Sequence, residues 1–277
     1  MLQNAALDDA PVTNARLLRL LVSARLRSQI AYRGSFLAAV AGQILLGTTE
    51  FVELYAIVHN IPTFGGMTFA QALLVFAFAS LAFSIGDLLM GETDSMSETI
   101  RTGKLEVLLV RPLPVLLQLM TSDFQLRRVG RLMFALVALA AALVITDIQW
   151  DPAKVALFII TPIAGAAIFC APFLGAGAAQ FWMLDGKQFG NAFTYGGRYV
   201  ASMPGAALFL PMQVSFTFVV PATLVAYAPS LVILGLDGPA GIPSWTGWLG
   251  LPAAVVLWGI MLLLWRAAIK KYTGAGG

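Results

Sequence analysis

The chain has 277 residues, of which 59% are hydrophobic and only 11% charged; the formal net charge is +3 and the mean hydropathy +0.83. Soluble domains carry about 25% charged residues, so this composition excludes a water-soluble globular protein and predicts an integral membrane protein. The single cysteine, Cys170, lies in an apolar run, which excludes an intramolecular disulfide framework and reads as a small buried hydrophobe.

In chain order, residues 14–32 come first as an amphipathic segment, with Leu17, Leu18, Leu21, Val22 and Leu26 on one side and Arg16, Arg19 and Arg27 on the other. It reads as an interfacial helix with its basic residues near anionic lipid, or as a plain cytoplasmic lead-in over 1–33. That stretch lacks the apolar core of a signal peptide, so the first hydrophobic run is expected to be a membrane anchor. Six segments are long and apolar enough to span: 34–58, 68–90, 130–146, 155–184, 205–225 and 247–265. Roughly 20 residues cross the hydrocarbon core as a helix, and backbone groups in lipid must bond internally. The short alternating segments of a β-barrel are missing from the sequence. The expected fold class is therefore an all-α integral membrane protein with six transmembrane helices.

The first span ends with Glu50 and Glu53, which share a helical face. Counted from Arg33, Glu50 is expected near the outer boundary, either as an interfacial charge facing water or lining a substrate portal. His59, in the short outer loop, reads as solvated. After span two comes a polar stretch, 91–131, that could not live in lipid. Ser95 with Glu98 fits a capping box. Met96, Ile100 and Val107 recur near helical spacing, Gly103 can end or bend the helix, and Arg111-Pro112-Leu113-Pro114 forbids regular helix. This predicts a capped surface helix, a rigid turn and a second helix, Val115 to Phe124, at headgroup level. A simple solvated connector is the alternative.

Span four is long and holds Pro162 and Pro172 among small residues, which suits close packing or a flexing helix. Span five contains Pro211 and Pro221. The apolar run Leu231 to Leu236 is too short to cross, and the Pro- and Gly-rich segment 226–246 around it is expected to dip into the outer leaflet and return. Trp245, Trp248 and Trp265 bracket span six as interfacial anchors. With this topology sixteen of the seventeen Lys and Arg fall on one side and only Lys154 on the other, which places both termini in the cytoplasm.

Several chemistries are missing from the sequence. One His excludes a His-Glu-x-x-His zinc site. No Cys/His cluster exists. Neither Gly103-Lys104 nor Gly186-Lys187 completes a phosphate-binding loop. An integral membrane enzyme is disfavoured on these grounds, and any nucleotide-driven work would draw on another polypeptide.

The run Ile100-Arg101-Thr102-Gly103-Lys104-Leu105, then Leu108-Leu109-Val110-Arg111-Pro112-Leu113, with Gln118, Ser122-Asp123-Phe124 and Arg127-Arg128, resembles the cytoplasmic loop of the ABC-2 type permeases, and more narrowly a six-span bacterial subfamily. Asn191 to Gly197, Pro221, Tyr227 and Pro229 extend the resemblance over about residues 15–270; Met67 departs from it, since that subfamily often has Trp there. The resemblance implies a single permease domain in the bacterial inner membrane, with an N-terminal interfacial helix, a coupling helix between spans two and three, and a short re-entrant element between spans five and six. It implies a second permease subunit, related or identical, and nucleotide-binding ATPase subunits. No cofactor is expected in this chain, ATP and magnesium lying on the partner, and no nucleic acid. Residues 94–110 would then sit in a groove on the ATPase. Met96 and Ile100 would fill its floor, with Glu98, Arg101, Glu106 and Arg111 as further contacts. The competing function is a stand-alone channel or secondary transporter, which mid-span positions nearly free of charge would disfavour.

Overall fold

A computed structural model describes residues 33–122, 127–183 and 186–272. The interfacial helix expected over 14–32 lies outside them. Helix is the regular structure throughout the described residues, apart from one bridge between Phe64 and Met67. Among the described residues five helices are long and apolar enough to cross a membrane, over Gly34–His59, Phe69–Arg101, Arg128–Ile145, Pro152–Ala179 and Ser244–Lys271.

The elements are α1 (Arg33–His59), α2 (Phe69–Met90), α3 (Met96–Arg101), α4 (Lys104–Val110), α5 (Val115–Ser122), α6 (Arg127–Ile145), α7 (Pro152–Ala179), α8 (Gly186–Ala201), α9 (Leu210–Val214), α10 (Tyr227–Leu234) and α11 (Gly250–Lys271). The centre is α2. Its side chains from Ala72 to Phe83 are almost entirely buried, because α6 packs on one flank and α7 on the other. Phe83 meets the rings of Phe169 and Phe173 at 5.3 and 5.9 Å. α11 lies on α7, where Trp258 Nε1 donates to the Ala167 carbonyl at 3.0 Å, and α1 lies on α6. α1 and α11 keep most of their apolar surface uncovered.

Two expectations change. The span expected over 205–225 is not a continuous helix. It breaks into a 3₁₀ turn at Gly205–Ala207, α9, a wide turn at Ser215–Val219 and a second 3₁₀ turn at Thr223–Val225. Pro211 stands in the first turn of α9, where its missing N–H costs no helical bond, and the chain has no helical structure at Val220 and Pro221. The long fourth helix also ends at Ala179, short of 184.

In its place stands α8, which has no long apolar run. One end lies against the last turns of α7, since a Cβ on Gly190 would collide with Ala176. After the other end, Pro204 and Ala207 lie about 3.0 Å from where a Cβ on Gly65 would sit, in the loop that precedes α2. The segment 186–207 therefore runs the length of α2. Gly190 is required by that close approach, whereas Gly196 has open space around it. Gly190→Val is expected to cost roughly 1–3 kcal/mol by overpacking and to lower the melting temperature of the purified protein. Gly196→Ala is expected to leave that temperature unchanged or raise it, since alanine favours helix.

Candidate functional site

The polar stretch after α2 folds as an elbow tied back to the helix bundle. Helical backbone continues from α2 through a 3₁₀ turn, Gly91–Ser95, into α3. Thr93 Oγ1 lies 2.7 Å from the Met90 carbonyl and 2.8 Å from the Phe173 carbonyl of α7. Gln180, the residue after α7, accepts from Ser97 N at 2.7 Å and from Ser97 Oγ at 2.6 Å, and its Nε2 donates to the Thr93 carbonyl at 3.3 Å. The start of α3 is thus fastened to the end of α7 by a side chain that sequence reasoning passed over. The expected capping box at Ser95 and Glu98 does not form, because Ser95 Oγ turns back to the Glu92 carbonyl at 2.8 Å. A capping box occurs instead at Thr68 and Gln71, where α2 begins.

Gly103 separates α3 from α4 in the left-handed region, at φ +70°, where side chains are strained. Arg111 to Pro114 make a tight turn, and Gln118 of α5 holds it: Nε2 donates to the carbonyls of Leu108 and Leu113, both at 2.8 Å.

The predicted contact residues divide by face. Met96 is fully buried, against Leu119, Leu174 and Trp265, and Ile100 packs at the edge of the same cluster. Met96 therefore points into the protein, which corrects its expected place on a groove floor; an apolar side chain at the root of the elbow is drawn to the bundle. Glu98 and Arg101 are exposed and paired with each other at 2.8 Å. Glu106 and Arg111 are exposed as well. Beside them lie Val107, Leu109 and Val110, the last 87% exposed. Sequence reasoning did not assign this apolar patch to the site; the signal was an apolar run ending directly before Arg-Pro.

A second group of charged side chains lies inside the bundle. Asp87, near the end of α2, is 5% exposed. Arg128 Nε lies 3.4 Å and Arg131 Nη1 3.3 Å from its carboxylate, and Arg128 Nη1 donates to its carbonyl at 3.0 Å. Higher up, Arg198 of α8 grips Glu50 of α1 with both Nη atoms, Nη1 at 2.7 Å from Oε1. The guanidinium carbons of Arg131 and Arg198 lie 5.4 and 4.8 Å from the centre of the Phe83 ring. Glu50 therefore sits beside the part of α2 that carries Phe76 and Phe83. Arg198 is on a packed helix. Glu53 is exposed and lines a crevice with Glu50, Arg198, Tyr199, Phe64 and Phe76. Separately, an apolar cavity of about 310 Å³ lies between α7, α8, α11 and residues 219–225, lined by Phe169, Pro172, Phe193 and Met261 among others. No group of three potential metal ligands occurs among the described residues.

The model of the ABC-2 family transporter proteins matches residues 44–276, most of the chain. The chain belongs to the ABC-2 family. No curated protein and no solved structure matches it. ABC-2 permeases are membrane components and not ATPases themselves, and they generally work with ATP-binding subunits. The ABC-2 match covers α1 from Ile44 onward, the whole elbow and α8.

Proposed function

We propose that this ABC-2 protein is the permease subunit of an exporter driven by a separate nucleotide-binding subunit, which carries ATP and magnesium. The elbow carries the reading. It exposes the apolar Val107, Leu109 and Val110 together with the charged Glu98, Arg101, Glu106 and Arg111, the mixture of apolar and charged groups from which protein interfaces are built. Its inner face is bonded to α7 through Thr93 and Gln180. A push on the outer face then reaches α2 directly and α7 through hydrogen bonds.

In this reading the protein crosses a bacterial inner membrane six times, with cytoplasmic termini. Residues 186–204 supply the fifth crossing and 205–235 re-enter from the outer side. Two permease subunits, identical or related, meet along helices such as α1 that are left uncovered. The apolar cavity suits an amphiphilic substrate. The test is co-purification: the tagged permease should bring down the P-loop ATPase encoded beside it and raise that ATPase's turnover in vesicles. Recovery of the permease alone, with full transport in its absence, overturns the reading.

One observation favours the stand-alone channel or secondary transporter. The bundle does hold buried ionisable groups, at Glu50, Asp87, Arg128, Arg131 and Arg198, and such groups often mark ion or substrate paths. Here the carboxylates are each engaged by arginine, which leaves no open charged ring. Transport that follows an ion gradient without ATP would select this second reading.

A further inference from the structure

α1 packs mainly on α6, and α8 mainly on α7. Between α1 and α8 lies the crevice bounded by Glu50, Glu53, Ile57, Tyr199 and Ser202. Its free space is about 30 Å³, room for little more than a water molecule. The two helices are joined across it by the Glu50–Arg198 pair, in which both oxygens of the carboxylate meet both Nη atoms of the guanidinium. Both side chains are largely buried.

The charges around this pair fix its partner choice. Asp87 is already shared by Arg128 and Arg131. Arg131 approaches the Phe83 ring, as Arg198 does, and two guanidiniums on one ring repel. Arg198 therefore has Glu50 as the carboxylate that balances it, and three guanidiniums face two carboxylates in this group. Phe83 belongs to α2, whose helical backbone continues into the elbow. Tyr195, one turn before Arg198, packs on Phe83 at 5.5 Å and its hydroxyl lies 3.3 Å from Asp94 at the root of the elbow. A shift of α2 or of the elbow therefore moves the seat on which Arg198 rests.

We propose that Glu50 and Arg198, seated on Phe83, form an ionic latch that holds the crevice between α1 and α8 shut, and that parting of the latch opens this crevice during transport. The second half rests on the permease reading above; the first half does not. Both residues are positioning residues: they act by holding two helices together.

The test uses the full chain in membrane vesicles, with Cys170→Ala removing the native thiol and Ser202→Cys placing a reporter in the crevice. A membrane-permeant maleimide reads how open the crevice is. Glu50→Gln and Arg198→Gln are each expected to speed labelling about tenfold, the population change for a weakened two-state contact. The exchanged variant, Glu50→Arg with Arg198→Glu, is expected to return labelling to the slow parental rate. Where a single variant fails to reach the membrane, the exchanged variant carries the test, with slow labelling and parental abundance expected. Equal labelling in the parent and both single variants, or fast labelling in the exchanged variant, overturns the latch. With the ATPase bound, ATP is expected to speed labelling in the otherwise native chain. No response to ATP in a complex that hydrolyses it overturns the role in transport. Loss of the ATPase on purification bears on the permease reading alone, because the nucleotide-free comparison stands without it.

Discussion

Asp87→Ala is expected to be among the most damaging single substitutions in the described chain. It would leave two guanidiniums, Arg128 and Arg131, facing each other in a site where their side chains are only 10% and 15% exposed. Removing one partner of a buried ion pair costs on the order of 3–5 kcal/mol, because the charge left behind has neither water nor counter-ion. The expected result is a fall in melting temperature on the order of 10 °C and low abundance in the membrane. Asp87→Asn keeps the shape and the acceptor oxygen and is expected to fall between. A combined change of Asp87, Arg128 and Arg131 to Asn, Met and Met removes the charges together and is expected to recover part of the loss, as apolar replacements of buried ion groups often do. Thermal denaturation of the three purified variants checks this. Equal melting of Asp87→Ala and the parent would show that water reaches this site.

The second large effect is expected at the elbow. Val107→Asp with Val110→Asp places two carboxylates in the exposed patch without touching the bundle. Two desolvated charges at the centre of an interface cost several kcal/mol, enough to lower partner affinity by a hundredfold or more, at about 1.4 kcal/mol per factor of ten. On the function proposed above, the permease should be recovered folded and without the ATPase, and transport should stop. Ile100→Asp is a poorer probe, since Ile100 packs against the buried cluster around Met96 and its loss would confuse docking with folding. Retention of the ATPase by the double variant would move the docking face elsewhere.

The parts of this architecture that sequence made legible are those written in local pattern. Long apolar runs announce α1, α2, α6, α7 and α11, and the turn residues Gly103 and Arg111 to Pro114 announce the elbow. α8 was hidden because Gly, Asn, Gln, Thr and Tyr fill it between Lys187 and Arg198; no apolar window finds a helix that faces a crevice and a charged partner. Pro204, Pro211 and Pro221 carried the opposite warning for 205–225, and composition outweighed them. The Thr68 and Gln71 pair had the spacing of a capping box and was overlooked in favour of Ser95 and Glu98. Glu50 and Arg198 are 148 positions apart. Each alone reads as an interfacial charge, and only the packing of α8 on α7 brings them together. Met96 and Ile100 fit helical spacing, but spacing does not say which side of a short helix meets the bundle.

Helical backbone runs from Phe69 to Arg101 over 33 residues, leaving α-helical dihedrals at Met90 and Ser95. Its α-helical part before the elbow, α2, is about 33 Å long at 1.5 Å per residue. Were α2 to tilt by about 5° around its midpoint, each tip would swing about 1.4 Å, comparable to the helix translations of known switching proteins. One tip carries the elbow and the other lies beside the Gly65–Gly66 loop, so in the proposed permease a stroke at one end would reach the other with its direction reversed.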